Sequence, residues 1–216
     1  LLVSLDAGYQ EPLNGPQLEW WIVLNDNHKE YVKMANYHNP IYWSSDYPTP
    51  GDVLDTQQTM DGLKYWVPEI DRSDYRSVWE NHVHAFKRTF PLIGGNVHEN
   101  GTLYLGEGCW GAGPNLTPLW NQTGVIAAFN ADRNLFWAVH VNNTNNTAVY
   151  SAVDQYGTVF DQVTQQLRLQ GEIQSFHSYY DKIRFKLLNI KSQCIQPKGK
   201  STKYFIRNLL LKLLSN

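Results

Sequence analysis

Three of the seven histidines stand at positions suited to ligand chemistry. His82 and His84 are separated only by Val83, just beyond a short apolar run, Ser77–Trp79, that reads as a strand. His38 closes a second strand-like run, Glu30–Tyr37, where the chain turns into Asn39-Pro40. Neutral imidazole ligates zinc, iron and other transition metals, and His-x-His in a loop lets two rings address one cation or two adjacent ones. Ligands of open α/β sheets collect beyond the carboxyl ends of strands, so three imidazoles at two strand ends form a candidate metal cluster. The plainer alternative for a His-x-His is a hydrogen-bonded surface pair. His28, His98, His140 and His177 lack partner spacing and read as structural or surface residues.

The elements that must position these rings follow from apolar spacing. Leu1–Leu5 reads as a strand, and Gln17–Leu24 as a helix entered through the turn Asn14-Gly15-Pro16, with Leu18, Trp21 and Ile22 on one face. Residues 44–56 form a turn-rich loop with Pro48, Pro50 and Gly51; Thr56–Tyr65 reads as a second helix, ended by Trp66-Val67-Pro68. Short strands follow at Arg88–Ile93, Thr102–Leu105, Gly124–Asn130, Leu135–Val141, Ala148–Val153 and Gly157–Phe160, punctuated by Gly, Asn and Asp. The order strand–helix–strand–helix–strand, then a run of β, predicts a layered α/β core extended by an antiparallel segment.

The net charge of −2 conceals two unlike segments. Residues 1–167 carry 8 basic and 18 acidic side chains and all eight Trp, whereas residues 168–216 carry 10 basic and 2 acidic ones. In the tail, Tyr204–Leu214 sets Phe205, Ile206, Leu209, Leu210 and Leu213 at helical spacing among Lys203, Arg207 and Lys212. Such a segment, 203–214, fits an anionic membrane surface, a protein partner, or ordinary packing on the domain. Nothing in it points to nucleic acid, and no apolar run reaches the roughly 20 residues of a membrane-spanning helix. Cys109 and Cys194 are too few for a disulfide framework. Five Asn-x-Thr tripeptides, at Asn100, Asn115, Asn121, Asn142 and Asn145, fall within 48 residues, although Pro118 follows one of them. Chance from this composition gives about two, so the cluster points to a glycosylated chain, secreted or in the secretory-pathway lumen.

The segment Asn81-His82-Val83-His84-Ala85-Phe86-Lys87-Arg88-Thr89 resembles the Gly-His-x-His-Ala-Tyr-x-Arg-Ser/Thr signature of purple acid phosphatases and their metallophosphoesterase relatives. Tyr37-His38-Asn39-Pro40-Ile41-Tyr42 is similar to that family's His-x-Pro-x-Tyr block. Leu5-Asp6-Ala7-Gly8 with Gln17-Leu18-Glu19-Trp20, and Gly101–Gly108, resemble two further blocks in the right order. The resemblance covers about residues 1–160 and implies the later part of an α/β/β/α metallophosphoesterase sandwich: 1–93 from the catalytic domain, 94–167 a β-rich region, with the basic tail 168–216 outside it.

What the resemblance implies chemically is a dinuclear centre, Fe(III) with Zn, Mn or Fe(II), that hydrolyses phosphate monoesters. His38 and His82 would ligate one metal and His84 the other. The family's bridging Asp, second Asp, Asn ligand and tyrosinate come from blocks not present in these residues, so the expectation is a half-built site without independent turnover. The plant enzymes place a further His ten positions after the residue matching His38; here that position is Pro48, and neighbouring Asp46 is a candidate acid. Asn81 replaces the usual Gly, and Lys87 stands where the plant enzymes have Glu. A non-enzymatic secreted glycan- or protein-binding module is the rival reading, since eight Trp offer stacking surfaces; burial in an α/β core accounts for the same residues.

Overall fold

A computed structural model describes residues 1–43, 53–106, 124–130 and 132–167. Its main sheet is largely buried on both faces. In β2 (Lys33–Tyr37) residues 33, 35 and 37 are buried and 34 and 36 half-buried, the signature of a strand covered on both faces but more tightly on one. β1 (Leu2–Ser4), β2, β3 (Tyr75–Glu80) and β7 (Leu103–Gly106) run parallel, and β4 (Phe86–Thr89) and β8 (Ile126–Asn130) extend them antiparallel in the order β1-β2-β3-β7-β4-β8.

Parallel neighbours need crossovers, and the helices supply two of them. α1 (Pro16–Asn27) links β1 to β2, starting at Pro16, where a missing N–H costs nothing, behind an extended Gly15 cap. β2 and β3 are joined through α2 (Val53–Asp61), a π-turn (Gly62–Trp66) and α3 (Val67–Arg72). The helix expected to stop at Trp66-Val67-Pro68 therefore continues to Arg72. Pro68 occupies the first turn of α3, where proline is tolerated, and the widened π-turn reorients the axis ahead of it. The helix also begins at Val53, inside the stretch read as a loop.

The helices pack on one face of the sheet over an aromatic cluster. Trp21 and Trp66, both essentially inaccessible, meet edge to face with centroids 5.7 Å apart; Tyr75 and Tyr37 continue the stack at 5.5 and 5.1 Å. Each such contact adds about 0.5–1.5 kcal/mol beyond area burial. The opposite face, through Leu103 and Leu105, packs on a second sheet of β9 (Leu135–Asn142), β10 (Thr147–Asp154) and β11 (Val159–Gln166). Ala148, Tyr150 and Ala152 alternate inward along β10, and the Arg88 fork grips Asp161 at 2.6 and 2.9 Å. The architecture is a helix layer on two stacked sheets, a partial metallophosphoesterase-like sandwich. The strand expected over Arg88–Ile93 is broken: β4 ends at Thr89, and β5 (Leu92–Ile93) pairs in a separate ribbon with β6 (Asn96–Val97), because Pro91 has no N–H for the ladder. The last hairpin strand, expected to end at Phe160, runs on to Gln166.

Candidate metal site

The carboxyl ends of β1, β2 and β3 lie side by side, and each releases a loop that carries part of the site. β2 ends at Tyr37, so His38 is the first residue past the sheet, and it is exposed. β3 ends at Glu80, directly opposite Tyr37 in register, which brings Asn81 and His82 beside His38. His82 Nδ1 lies 2.9 Å from His38 Nε2, the rings crossing at 80°. One of these nitrogens carries the proton of a hydrogen bond between them, in whichever tautomer.

The loop after β3 is held in a rare backbone shape. His82 and His84 both adopt left-handed conformations, with φ of 68° and 53°, on either side of buried Val83. Left-handed backbone costs a side-chain-bearing residue roughly 1–2 kcal/mol, so the surroundings must enforce it. The Val83 N–H donates to Asn81 O at 2.8 Å, closing a tight turn, and Val83 itself is buried. Both imidazoles thereby remain partly open to solvent.

The loop after β1 organises around a carboxylate. Asp6 accepts backbone N–H bonds from Tyr9, Gln10 and Glu11 at 3.3, 2.8 and 3.0 Å. Partial desolvation pushes its carboxyl upward, but the three N–H donors outweigh that and leave it below the ordinary aspartate value. The fold of this loop lays the Tyr9 ring 5.9 Å from His38, and the Tyr9 hydroxyl donates to Asn39 Oδ1 at 2.8 Å. Below the site, Glu80 is buried against Lys87, which donates from β4. Burial pulls the Lys87 ammonium below its ordinary value, with the Glu80 carboxylate opposing.

Of the residues expected from sequence, His38 and His82 are brought together. His84 follows on the same loop, but no group of three His, Cys, Asp or Glu able to hold a metal forms among the described residues. Asp46, Glu107, Gly108, Asn115, Asn121, both cysteines and the tail 168–216 lie outside the described residues. The 2.9 Å between the His38 and His82 nitrogens is hydrogen-bond spacing, whereas two imidazole ligands of one tetrahedral cation at about 2.1 Å sit about 3.4 Å apart, so the rings must part slightly to share one. A dinuclear centre, which needs carboxylate ligands, is not fitted by the described residues alone. Tyr9 and Glu80 are not legible as site residues in sequence: Tyr9 has no motif spacing, and Glu80 stands two residues before the His-x-His with no spacing of its own. Among the tryptophans, Trp21 and Trp66 are core and Trp20 is half-exposed.

No protein-family model matches this sequence, and no curated protein matches it. Among solved structures the chain is similar to a purple acid phosphatase, PPD1, isolated from yellow lupin (Lupinus luteus) seeds. That match has 16% identity and a TM-score of 0.58, over 73% of this chain and 29% of that one. It is also similar to GAP50, the anchor in the inner membrane complex of Plasmodium, at 13% identity and a TM-score of 0.57, over 82% of this chain and 54% of that one. The chain thus spans well under two thirds of either structure. At such identities the likeness is one of fold, and the fold is metallophosphoesterase-like, present in part.

Proposed function

We propose that this chain carries the imidazole side of a metallophosphoesterase centre for phosphate monoester hydrolysis, and that it does not turn over substrate on its own. The observation that carries this reading is the 2.9 Å approach of His38 Nε2 and His82 Nδ1 at the carboxyl ends of adjacent parallel strands. His38 and His82 would share one cation and His84 would serve a second, with iron and zinc, manganese or a second iron as the candidate metals. A dinuclear pair, when complete, clamps phosphoryl oxygens and lowers the pKa of a bound water. Asp46 remains the candidate proton donor of the following loop.

What the chain's own residues do is narrower. The β2 and β3 ends bring two imidazoles within 2.9 Å of each other, and the Asp6 loop seats Tyr9 beside His38. Three imidazoles bring no negative charge to balance two cations, so assembly needs carboxylates from elsewhere. The purified chain should bind about one equivalent of Zn(II) or Co(II) and leave p-nitrophenyl phosphate intact. Robust turnover would refute the half-site reading; no binding would refute the metal reading.

A second reading, a non-enzymatic binding module, is favoured by the likeness in fold to a Plasmodium anchor protein. Under it the metal-free chain keeps its binding activity, whereas a His82→Ala variant that loses the one bound equivalent argues for the first. Either reading is compatible with a secretory location, because Asn100 and Asn145 of the acceptor tripeptides are exposed in turns and Asn142 is half-exposed at the end of β9. The domain bounds 1–93, 94–167 and 168–216, and a surface or partner contact through 203–214, belong to the same proposal.

A further inference from the structure

We propose that Glu80 and Asn81 are positioning residues that fix His38 against His82, with Lys87 as the buried counter-charge that keeps Glu80 in place. This rests on the reading that His38 and His82 hold a cation. Register pairing of β2 and β3 stops at Tyr37 opposite Glu80, so beyond that point the ladder no longer sets the distance between the two strand ends. One further backbone bond and four side-chain bonds take over there. Glu80 Oε1 accepts the Tyr37 hydroxyl at 2.7 Å and the Ile41 N–H at 2.7 Å. The Asn81 N–H donates to His38 O at 2.9 Å, and Asn81 Nδ2 donates to Tyr37 O at 2.9 Å and Asn36 Oδ1 at 3.1 Å. One dipeptide therefore makes five hydrogen bonds to residues 36–41, bracketing His38 on both sides, and its next residue is His82.

A pair of leucines would fill the space of Glu80 and Lys87 without the desolvation cost of two buried ions. What leucine cannot do is accept from Tyr37 and Ile41. The route of Lys87 is equally specific: a Cβ on Gly106 of β7 would sit 2.5 Å from Lys87 Cγ, so only glycine lets the lysine stem cross to Glu80. The departures from the family pattern thus form one device, in which Asn81 and Lys87 both act on the His38 loop.

The test uses the purified chain in four forms: wild type, Glu80→Leu/Lys87→Leu, Glu80→Gln/Lys87→Met and Asn81→Gly. The leucine pair removes acceptor and charge together and leaves no orphaned buried ion. The Gln/Met pair keeps an amide oxygen for Tyr37 and Ile41. Two readouts are taken: Co(II) affinity by its visible absorption, and the His38–His82 imidazole hydrogen bond by nitrogen-15 correlation spectra of the metal-free protein. The leucine pair should lose the imidazole correlation and weaken Co(II) binding by about tenfold or more, while the Gln/Met pair stays within about threefold of wild type. Unchanged affinity and an intact correlation in the leucine pair would overturn the proposal. Should the leucine pair fail to fold, Asn81→Gly decides by the same two readouts. Should wild type bind no Co(II), the cation reading falls, and the imidazole correlation alone judges the positioning role.

Discussion

Replacing Arg72 by Met tests whether the helical layer is held by one buried polar network. Glu69, 5% exposed, accepts Arg72 Nε at 2.8 Å and Nη2 at 2.7 Å, Asn25 Nδ2 at 2.8 Å and Ser73 Oγ at 2.7 Å. Arg72 also reaches Asp26 on α1 at 2.6 Å, and Asn25 passes the network through Tyr75 to the Trp21 indole N–H. Burial opposes the guanidinium charge, yet Glu69 and Asp26 outweigh it and lift Arg72 further above its ordinary value. Arg72→Met strands the carboxylate with two neutral donors, so the loss should be about 3–5 kcal/mol. For a domain of this size that lowers the melting temperature by about 6–20 °C. Glu69→Gln should cost about 1–3 kcal/mol. The double variant should be milder than the sum, with a coupling of about 1–3 kcal/mol. Urea unfolding at neutral pH, read by Trp fluorescence, gives all three values. A cost for Arg72→Met below about 1 kcal/mol, or additivity within about 0.5 kcal/mol, would refute the network argument. Co(II) binding should be unaffected, because the network sits before β3 and the imidazoles after it, separated by about 20 Å of strand at ~3.3 Å per residue.

Three other outcomes follow from the same contacts. Asp6→Ala should cost about 1 kcal/mol at pH 7. Because the Asp6 carboxyl is lowered in the fold, its contribution is present above the ordinary value of 3.8 and fades as pH falls through the folded one, so wild type and variant should converge in acid unfolding scans below about pH 4. Gly62→Ala places a Cβ 2.6 Å from Ile41 Cγ1, and the overpacking should cost about 1–3 kcal/mol by thermal denaturation and weaken Co(II) binding, since Ile41 N–H is tied to Glu80. Chain expressed through a eukaryotic secretory pathway should lose mass on peptide:N-glycosidase treatment, and Asn100→Gln should remove part of that shift; an unglycosylated product would contradict the secretory assignment.

Much of the fold is written in local pattern. The β-branched and aromatic residues of β10 are visible as a strand, and Gly15-Pro16 marks the entry of α1. His38 and His82–His84 are legible because strand ends in α/β sheets are where such residues act, and the sheet does bring the first two together. The sequence is silent where distant residues decide. Pro68 looks like a helix stop, but a π-turn ahead of it turns it into a helix start. Glu80 and Lys87 are seven residues apart on strands that are not neighbours, so their pairing waits on β7 threading between them. Tyr9 reaches His38 only because Asp6 folds the intervening loop. The stacking of β9–β11 as a second sheet depends on tertiary packing against Leu103 and Leu105, which no short-range period encodes.

The central claim is that His38 and His82 form a cation-binding pair in a chain that does not hydrolyse phosphate esters alone. Calorimetric titration of Zn(II) into the metal-free chain, with His38→Ala and His82→Ala beside wild type and p-nitrophenyl phosphate turnover followed on the loaded samples, addresses it directly. Wild type should bind about one equivalent, either alanine variant should lose about tenfold or more in affinity, and no sample should turn over the ester. Equal Zn(II) affinity in wild type and both variants, or phosphate release by the wild-type chain, would contradict it.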